Sequence, residues 1–321
     1  GLETPPGHFY SGRANLSMAR GELVEAEVEL EQALQAFRDV GDRRNEAMML
    51  NTTGYLRRRQ GRVEEAEAYH LRSLEIREEI GDRVGVGRIY GMLSGVYSAQ
   101  GLYAEAISAA TSALGIARET NDRLFEATSL AQLANAENST GDVESARSHY
   151  REGRAIFVEI QDPLRTLQTD LKIAKMDLSN DQFEQVEAMA RQILNASRES
   201  DILSSEIEAL ELLGDMSAEQ DNTGQAISWY QEALFELKDS TWASKENTLK
   251  VKLANAYLDT NDSGSAAPLI GALAAGPVNV SSLKTRARYA HVHGDSAKAI
   301  NLMTQAKELA GKAWSADSET L

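Results

Sequence analysis

Turn-forming residues recur along this chain at a fixed spacing of 40, and that spacing constrains the fold more than any other property. One row is Gly21, Gly61, Gly101, Gly141, Asp181, Asp221 and Asn261, followed by Gly294 after a shorter step of 33. A second row lies half a period away in the phrases "VGDRRN", "IGDRVG", "TNDRLF" and "IQDPLR", which hold Asp42, Asp82, Asp122 and Asp162. Between turns the apolar residues Leu23, Ala26, Leu30, Ala33 and Leu34 fall at steps of three and four, the period of a helix with one buried face. The pattern predicts an all-α chain of about eight helical hairpins, one for each of the eight turn residues of the first row.

Small residues hold the same register. Five positions after each turn stand Ala26, Ala66, Ala106, Ala146, Val186, Ala226, Ala266 and Ala299. Twelve positions after it stand Ala33, Ser73, Ala113, Gly153, Ile193, Ala233, Leu273 and Ala306, mostly small, with Ile193 and Leu273 as departures in the fifth and seventh units. A small side chain lets two helix backbones pack closely, so these positions mark the seam of each hairpin. In the second row, Gly81 fits the left-handed end of one helix and Asp82 the N-cap of the next, where its carboxylate accepts a backbone N–H. The four aspartates therefore read as joints. Arg43, Arg83 and Arg123 beside them read as an exposed basic ridge.

The residues of "LSGVYSAQGLYAEAISAATSAL" resemble a tetratricopeptide repeat: Leu93, Tyr97, Gly101, Ala106 and Ala113 match its consensus, while Ser94 and Ala110 replace a glycine and an aromatic. In the sixth unit Leu213, Gly214, Ala226, Tyr230 and Ala233 match, with Asp221 as the turn residue. The resemblance implies a right-handed α-solenoid of about eight hairpins whose first helices line a concave groove. The common repeat of the family is about 34 residues long. The six extra residues per unit add roughly 9 Å of helix, a length similar to that of arrays in signalling adaptors and bacterial regulators.

A single domain over 1–321 is expected, with the first helix of unit 1 at about 7–20 and regular units over 41–261. Pro268, Gly271, Gly276 and Pro277 predict an irregular unit over 262–296, and a capping helix from about Ala297 through Trp314 is expected within 297–321. The start "GLETPPGHFY" reads as part of a longer polypeptide. A formal charge of −16 disfavours nucleic acid as a partner. The absence of cysteine excludes disulfides, thiolate zinc sites and cysteine nucleophiles. No apolar run is long enough for a membrane span. A cytoplasmic location is expected, with a soluble extracytoplasmic domain as the alternative.

Enzyme motifs are incomplete. "GVGRIYG" lacks the third glycine and the preceding strand of a dinucleotide site, so Gly87, Gly91 and Gly95 read as points of close helix approach. "SSLK" lacks the companions of a serine acyl-enzyme, and Ser281 or Ser282 reads as a helix N-cap. His291 and His293 would point about 200° apart on a helix and cannot share a metal there. His70 and His149 read as core or half-buried residues. The expectation is a protein that is not an enzyme and carries no cofactor or metal.

Six positions before each turn, where the family resemblance places groove-facing side chains, stand Asn15, Tyr55, Gly95, Asn135, Lys175, Asp215, Asn255 and Arg288. An asparagine amide both donates and accepts, so it can hold the backbone of an extended peptide, or else bond a neighbouring helix. Arg58, Arg88, Lys172, Lys252 and Lys284 lie near, against Glu208, Glu211 and Asp215. The candidate binding set is Asn15, Tyr55, Arg58, Arg88, Asn135, Lys172, Lys175, Lys252 and Asn255. The expected function is that of a non-catalytic scaffold for a protein or peptide with acidic groups or a free C-terminus. The alternatives are pairing of Lys175 with Asp215, and a ligand- or peptide-sensing regulatory domain of a larger transcription activator or receptor kinase. Homo-oligomerisation is compatible with either.

Overall fold

A computed structural model describes residues 6–238, 240 and 242–311 of the chain, and among these it holds sixteen α-helices and no strand. The helices fall into two compact units, Gly1–Thr169 and Asp170–Leu321. The N-terminal unit holds the hairpins α1 (Pro6–Arg20) with α2 (Leu23–Asp39) and α3 (Arg43–Arg59) with α4 (Val63–Glu79). It continues with α5 (Arg83–Gln100), α6 (Tyr103–Glu119), α7 (Arg123–Thr140) and α8 (Val143–Glu159). The unit boundary falls inside α9 (Pro163–Leu178). The C-terminal unit adds α10 (Phe183–Glu199), α11 (Leu203–Glu219), α12 (Thr223–Glu236) and α13 (Ala243–Asp259). It ends with α14 (Ser263–Ala275), α15 (Val280–Val292) and α16 (Ser296–Ala310). Trp314, expected at the end of the capping helix, lies outside the described residues.

The turns work as the sequence predicts. Gly21, Gly61, Gly101, Gly141 and Gly294 all have positive φ, and Asp181, Asp221 and Asn261 take the same left-handed conformation at φ 57 to 58°. Asp and Asn tolerate that region because a short polar side chain bonds locally. In the second row, the carboxylates of Asp42, Asp82, Asp122 and Asp162 accept the N–H of Asn45, Gly85, Phe125 and Arg165 at 3.1, 3.0, 3.0 and 3.0 Å. Each bond satisfies one of the orphan donors at a helix start.

The small positions are the seams. Ala26, Ala66, Ala106, Ala146, Val186, Ala226 and Ala266 are fully buried. Seven residues further on, the Ser73 hydroxyl donates to the Ala47 carbonyl at 2.7 Å. At the equivalent place a Cβ on Gly153 would lie 3.1 Å from the Ala127 carbonyl oxygen. Second helices also pack onto the next first helix, α2 on α3, α4 on α5 and α6 on α7.

Two expectations are corrected. Arg43, Arg83 and Arg123 are not a basic ridge, because each is neutralised by a glutamate at the end of the same hairpin: Glu79, Glu119 and Glu159. The Arg83 guanidinium, 2.6 Å away, holds the Glu119 carboxyl below the usual carboxylate range. Neither Ser281 nor Ser282 caps α15. Asn279 does, its side chain accepting from the Ser282 N–H at 2.8 Å while the Ser282 hydroxyl accepts from the Asn279 N–H at 3.2 Å, a reciprocal capping box.

His70 is buried where α4 crosses Gly54 of α3, and a Cβ on that glycine would lie 2.8 Å from the imidazole. Its Nδ1 has no hydrogen-bond partner. Burial, and secondly the charge of Arg58, push its pKa down to about 4. The unfolded chain therefore takes up this proton at a higher pH than the folded one. The neutral imidazole's contribution is fully present above the ordinary histidine range, near 6.5, and is lost as pH falls toward 4. Measured by denaturant unfolding, stability should drop by on the order of 3 kcal/mol across that window, and His70→Leu should flatten the drop. Asp82→Ala should lower stability by about 1 kcal/mol, read in the same experiment.

Candidate functional site

Within the N-terminal unit the first helices approach one another, α3 with α5 and α5 with α7. Their outward stripes thus form one face. Tyr55, Arg58, Arg88 and Asn135 all lie exposed on it, as their register predicts. Asn15 is exposed on α1.

A recess of about 280 Å³ opens on this face, between Arg58 of α3, Gly91 and Gly95 of α5, and Gln132 and Asn135 of α7. Two missing side chains create it. A Cβ on Gly91 would lie 2.8 Å from Gln132 Oε1, and one on Gly95 would lie 3.3 Å from Arg58 Nη1. Gly91 and Gly95 are four apart and so share one helix face. Gly87, one turn earlier, serves the close packing expected of all three, since its Cβ would meet Ile116 at 2.8 Å and Phe125 at 2.9 Å.

The polar lining of the recess comprises the donors of Arg58, the side chains of Ser94, Ser98 and Asn135, and the amide of Gln132. No carboxylate pairs with Arg58 among the described residues, whereas Arg88 has a distant partner in Asp122 at 3.8 Å. Asn135 is held in orientation: its Oδ1 accepts from the Tyr150 hydroxyl at 2.7 Å, and its Nδ2 donates to the Ala131 carbonyl at 2.7 Å. One amide N–H of Asn135 is left over. Gln132 turns its Oε1 inward, buried and without a partner. Burial pushes the Tyr150 hydroxyl up to about 12, so it stays a donor at neutral pH.

The C-terminal unit treats its cations differently. Lys175 pairs with Glu208 at 2.7 Å, and Lys252 with Glu211 at 2.7 Å and Asp215 at 2.6 Å. Lys245 also pairs with Glu211, and the Tyr230 hydroxyl donates to Asp215 at 2.8 Å. Burial works to raise the Glu211 carboxyl, but the charges of Lys252 and Lys245 hold it below its ordinary value. Burial likewise works against the Lys252 ammonium, and Asp215 and Glu211 raise it above its ordinary value. The alternative pairing thus exists with other partners: Lys175 takes Glu208, and Asp215 takes Lys252. Asn255 donates to the Thr285 hydroxyl of α15 at 3.2 Å. Lys172 is exposed and has no ion-pair partner among the described residues.

Gln132 and Gly91 were missed as site residues. Their signal was present in the glycine pair four apart beside the groove register, but a helical glycine reads equally as packing. Among the described residues no group of three His, Asp or Glu side chains could hold a metal, and no helix is long and apolar enough to cross a membrane. His149 Nδ1 lies 2.7 Å from Glu137, and His293 stacks on Tyr289. Because Lys252 neutralises two carboxylates, one of them buried, Lys252→Met should destabilise the protein by about 2 kcal/mol. Lys172→Met should change stability by less than about 0.5 kcal/mol, both measured by denaturant titration.

Residues 8–79, 46–119 and 85–159 each match the family model described as tetratricopeptide repeat. No curated protein matches the chain in sequence. Solved structures with the same fold include the apo form of RapI, at 15% identity and TM-score 0.64 over 93% of this chain and 99% of that one. The apo quorum sensor NprR from B. thuringiensis matches at 12% identity and TM-score 0.65, over 95% and 87%. A Rap protein in complex with competence and sporulation factor matches at 12% identity and TM-score 0.58, over 80% and 77%.

Proposed function

Residues 8–159 belong to the tetratricopeptide repeat family, and from that premise we propose that the chain is a non-catalytic scaffold binding an acidic peptide segment on the first-helix face of its N-terminal unit. The observation that carries this reading is the recess between Arg58, Gly91, Gly95 and Asn135. It offers a guanidinium that no carboxylate among the described residues neutralises, next to backbone laid bare by two glycines. A guanidinium presents a planar fork of donors that fits a carboxylate. An aspartate or glutamate side chain, or a terminal carboxylate, supplies the acceptors that Arg58 and the spare Asn135 N–H call for. On a chain with a formal charge of −16 this is a local reversal of sign, which favours selection of an acidic partner over non-specific binding. Another protein with this fold, a Rap protein, has been solved in complex with competence and sporulation factor.

The likeness to the quorum sensor NprR favours a second reading, a peptide-sensing domain whose ligand controls an attached effector. The full-length reading frame separates the two, since the sensor reading requires a flanking effector domain.

Selection of random peptides from a display library against the purified protein tests the first reading. Enriched peptides should carry Asp or Glu or require their free C-terminus, and their affinity should fall with added salt. Arg58→Glu should weaken them by tenfold or more, about 1.4 kcal/mol. Glu144→Lys, exposed on α8, should leave them unchanged. Charge reversal at Lys172 and Lys175 asks the same of the C-terminal unit. Equal affinity and equal salt dependence for wild type and Arg58→Glu would sink the proposal.

A further inference from the structure

Asn135 and Tyr150 form a pair that the chain builds twice. The buried Tyr150 hydroxyl donates to Asn135 Oδ1 at 2.7 Å, and two repeats further on the buried Tyr230 hydroxyl donates to Asp215 Oδ1 at 2.8 Å. Burial pushes both phenols up, Tyr150 to about 12, so each keeps its proton at neutral pH. Each tyrosine therefore asks its partner for an acceptor, and the partner's own chemistry decides what it has left to offer.

A carboxylate keeps acceptor capacity to spare, and Asp215 uses it on Lys252, whose Nζ lies 2.7 Å from Oδ1 and 2.6 Å from Oδ2. An amide whose oxygen is engaged has only N–H groups left. Asn135 gives one of these to the Ala131 carbonyl at 2.7 Å and keeps the other. The same tyrosine clamp thus leaves an acceptor in the C-terminal unit and a donor in the N-terminal unit. In the recess that donor shares a hollow with a second one: Arg58 on α3 and Asn135 on α7 belong to helices that both pack on α5, where Gly91 and Gly95 leave room. A carboxylate brings an acceptor oxygen for each. A carboxamide of the same shape brings only one, and its NH2 would face a donor.

We infer that Asn135 is the specificity-determining residue of the recess, making it take a carboxylate and reject the carboxamide of the same shape, glutamate rather than glutamine, with Tyr150 as its positioning residue. This discrimination presupposes the anion site proposed around Arg58 and goes beyond it, because a guanidinium by itself also donates to a carboxamide oxygen. An amide turned the other way, with Oδ1 toward the ligand, would set an acceptor beside Arg58 and suit the carboxamide. Tyr150 and the Ala131 carbonyl together exclude that orientation, since the first needs the oxygen and the second needs the N–H.

The test uses N-acetyl-glutamate N-methylamide and N-acetyl-glutamine N-methylamide, blocked single residues that differ only in carboxylate against carboxamide. Each is titrated into the purified protein at neutral pH and followed by the backbone amide NMR signals of Gly91 and Gly95. The glutamate probe should bind about tenfold tighter or more, and Arg58→Glu should abolish its binding. Tyr150→Phe should narrow the preference by about fivefold, the worth of one hydrogen bond, weakening the glutamate probe and leaving the glutamine probe unchanged. Asn135→Asp should remove the preference, because the recess then holds an acceptor of its own to set against Arg58, as Asp215 does for Lys252. Circular dichroism checks that each variant folds. Absence of glutamate binding, or binding indifferent to Arg58→Glu, sinks the anion site itself. If binding depends on Arg58 but the two probes bind equally, or Tyr150→Phe weakens both by the same factor, the anion site stands and the role assigned to Asn135 and Tyr150 is overturned.

Discussion

The complete burial of the small residue five positions after each turn is the constraint on which the rest of the array depends. Ala26, Ala66, Ala106 and Ala146, each in the first turn of a second helix, have no exposed surface. Adding methylenes at such a place forces backbones apart and costs stability. Once the crossing is fixed, so is everything that depends on register. Ser73 and Gly153 come against first-helix carbonyls, and the ends of the two helices come level. Only then can Arg83 at the start of α5 reach Glu119 at the end of α6, 36 residues away. The longer period keeps this logic while lengthening the helices to 17 residues in α2, α3 and α4.

What could be read from the sequence follows from the range of each interaction. The aspartate row was legible because an N-cap is a contact over three residues, here Asp82 to Gly85. The arginine row was misread because its partners stand 36 residues on, although Glu79, Glu119 and Glu159 repeat at the same period. The same reason separates place from charge in the candidate site. Lys175 and Lys252 sit where their register put them, yet their partners Glu208 and Asp215 come from adjacent hairpins, 33 and 37 residues away. Ser282 was read as a cap because it stands near a helix start, but in a capping box Asn279 takes that role. The recess at Gly91 and Gly95 was not legible. Whether a helical glycine admits a neighbour or leaves a hollow depends on side chains from other helices.

Lys175 and Lys252 of the C-terminal unit are paired, whereas Arg58 of the N-terminal unit has no carboxylate partner among the described residues. In the C-terminal unit Lys245, Lys252, Glu211, Asp215 and Tyr230 form a connected network. Binding an anionic ligand there requires breaking pairs that already compensate burial. In the N-terminal unit the orientation of Asn135 is fixed by Tyr150, while Arg58 has no carboxylate partner among the described residues. A site that is pre-oriented and not internally neutralised loses less on binding. That contrast, more than the number of cations, favours the N-terminal unit as the peptide face.

The charge of Arg58 also reaches inward. His70, buried beneath Gly54, is held neutral first by burial and then by the Arg58 cation. An anion bound at Arg58, as proposed, would cancel part of the field that helps keep the imidazole neutral, and would thereby be coupled to protonation of His70. Coupling of this kind is reciprocal: if an anion eases protonation of His70, protonation of His70 strengthens the anion's hold by the same factor. Burial is the larger cause and is unaffected by the ligand, so the histidine remains mostly neutral at pH 7 with or without it. The exposed Arg58 and Gly54, on which the His70 ring packs, both belong to α3, which is why the cation lies near enough to act on the ring.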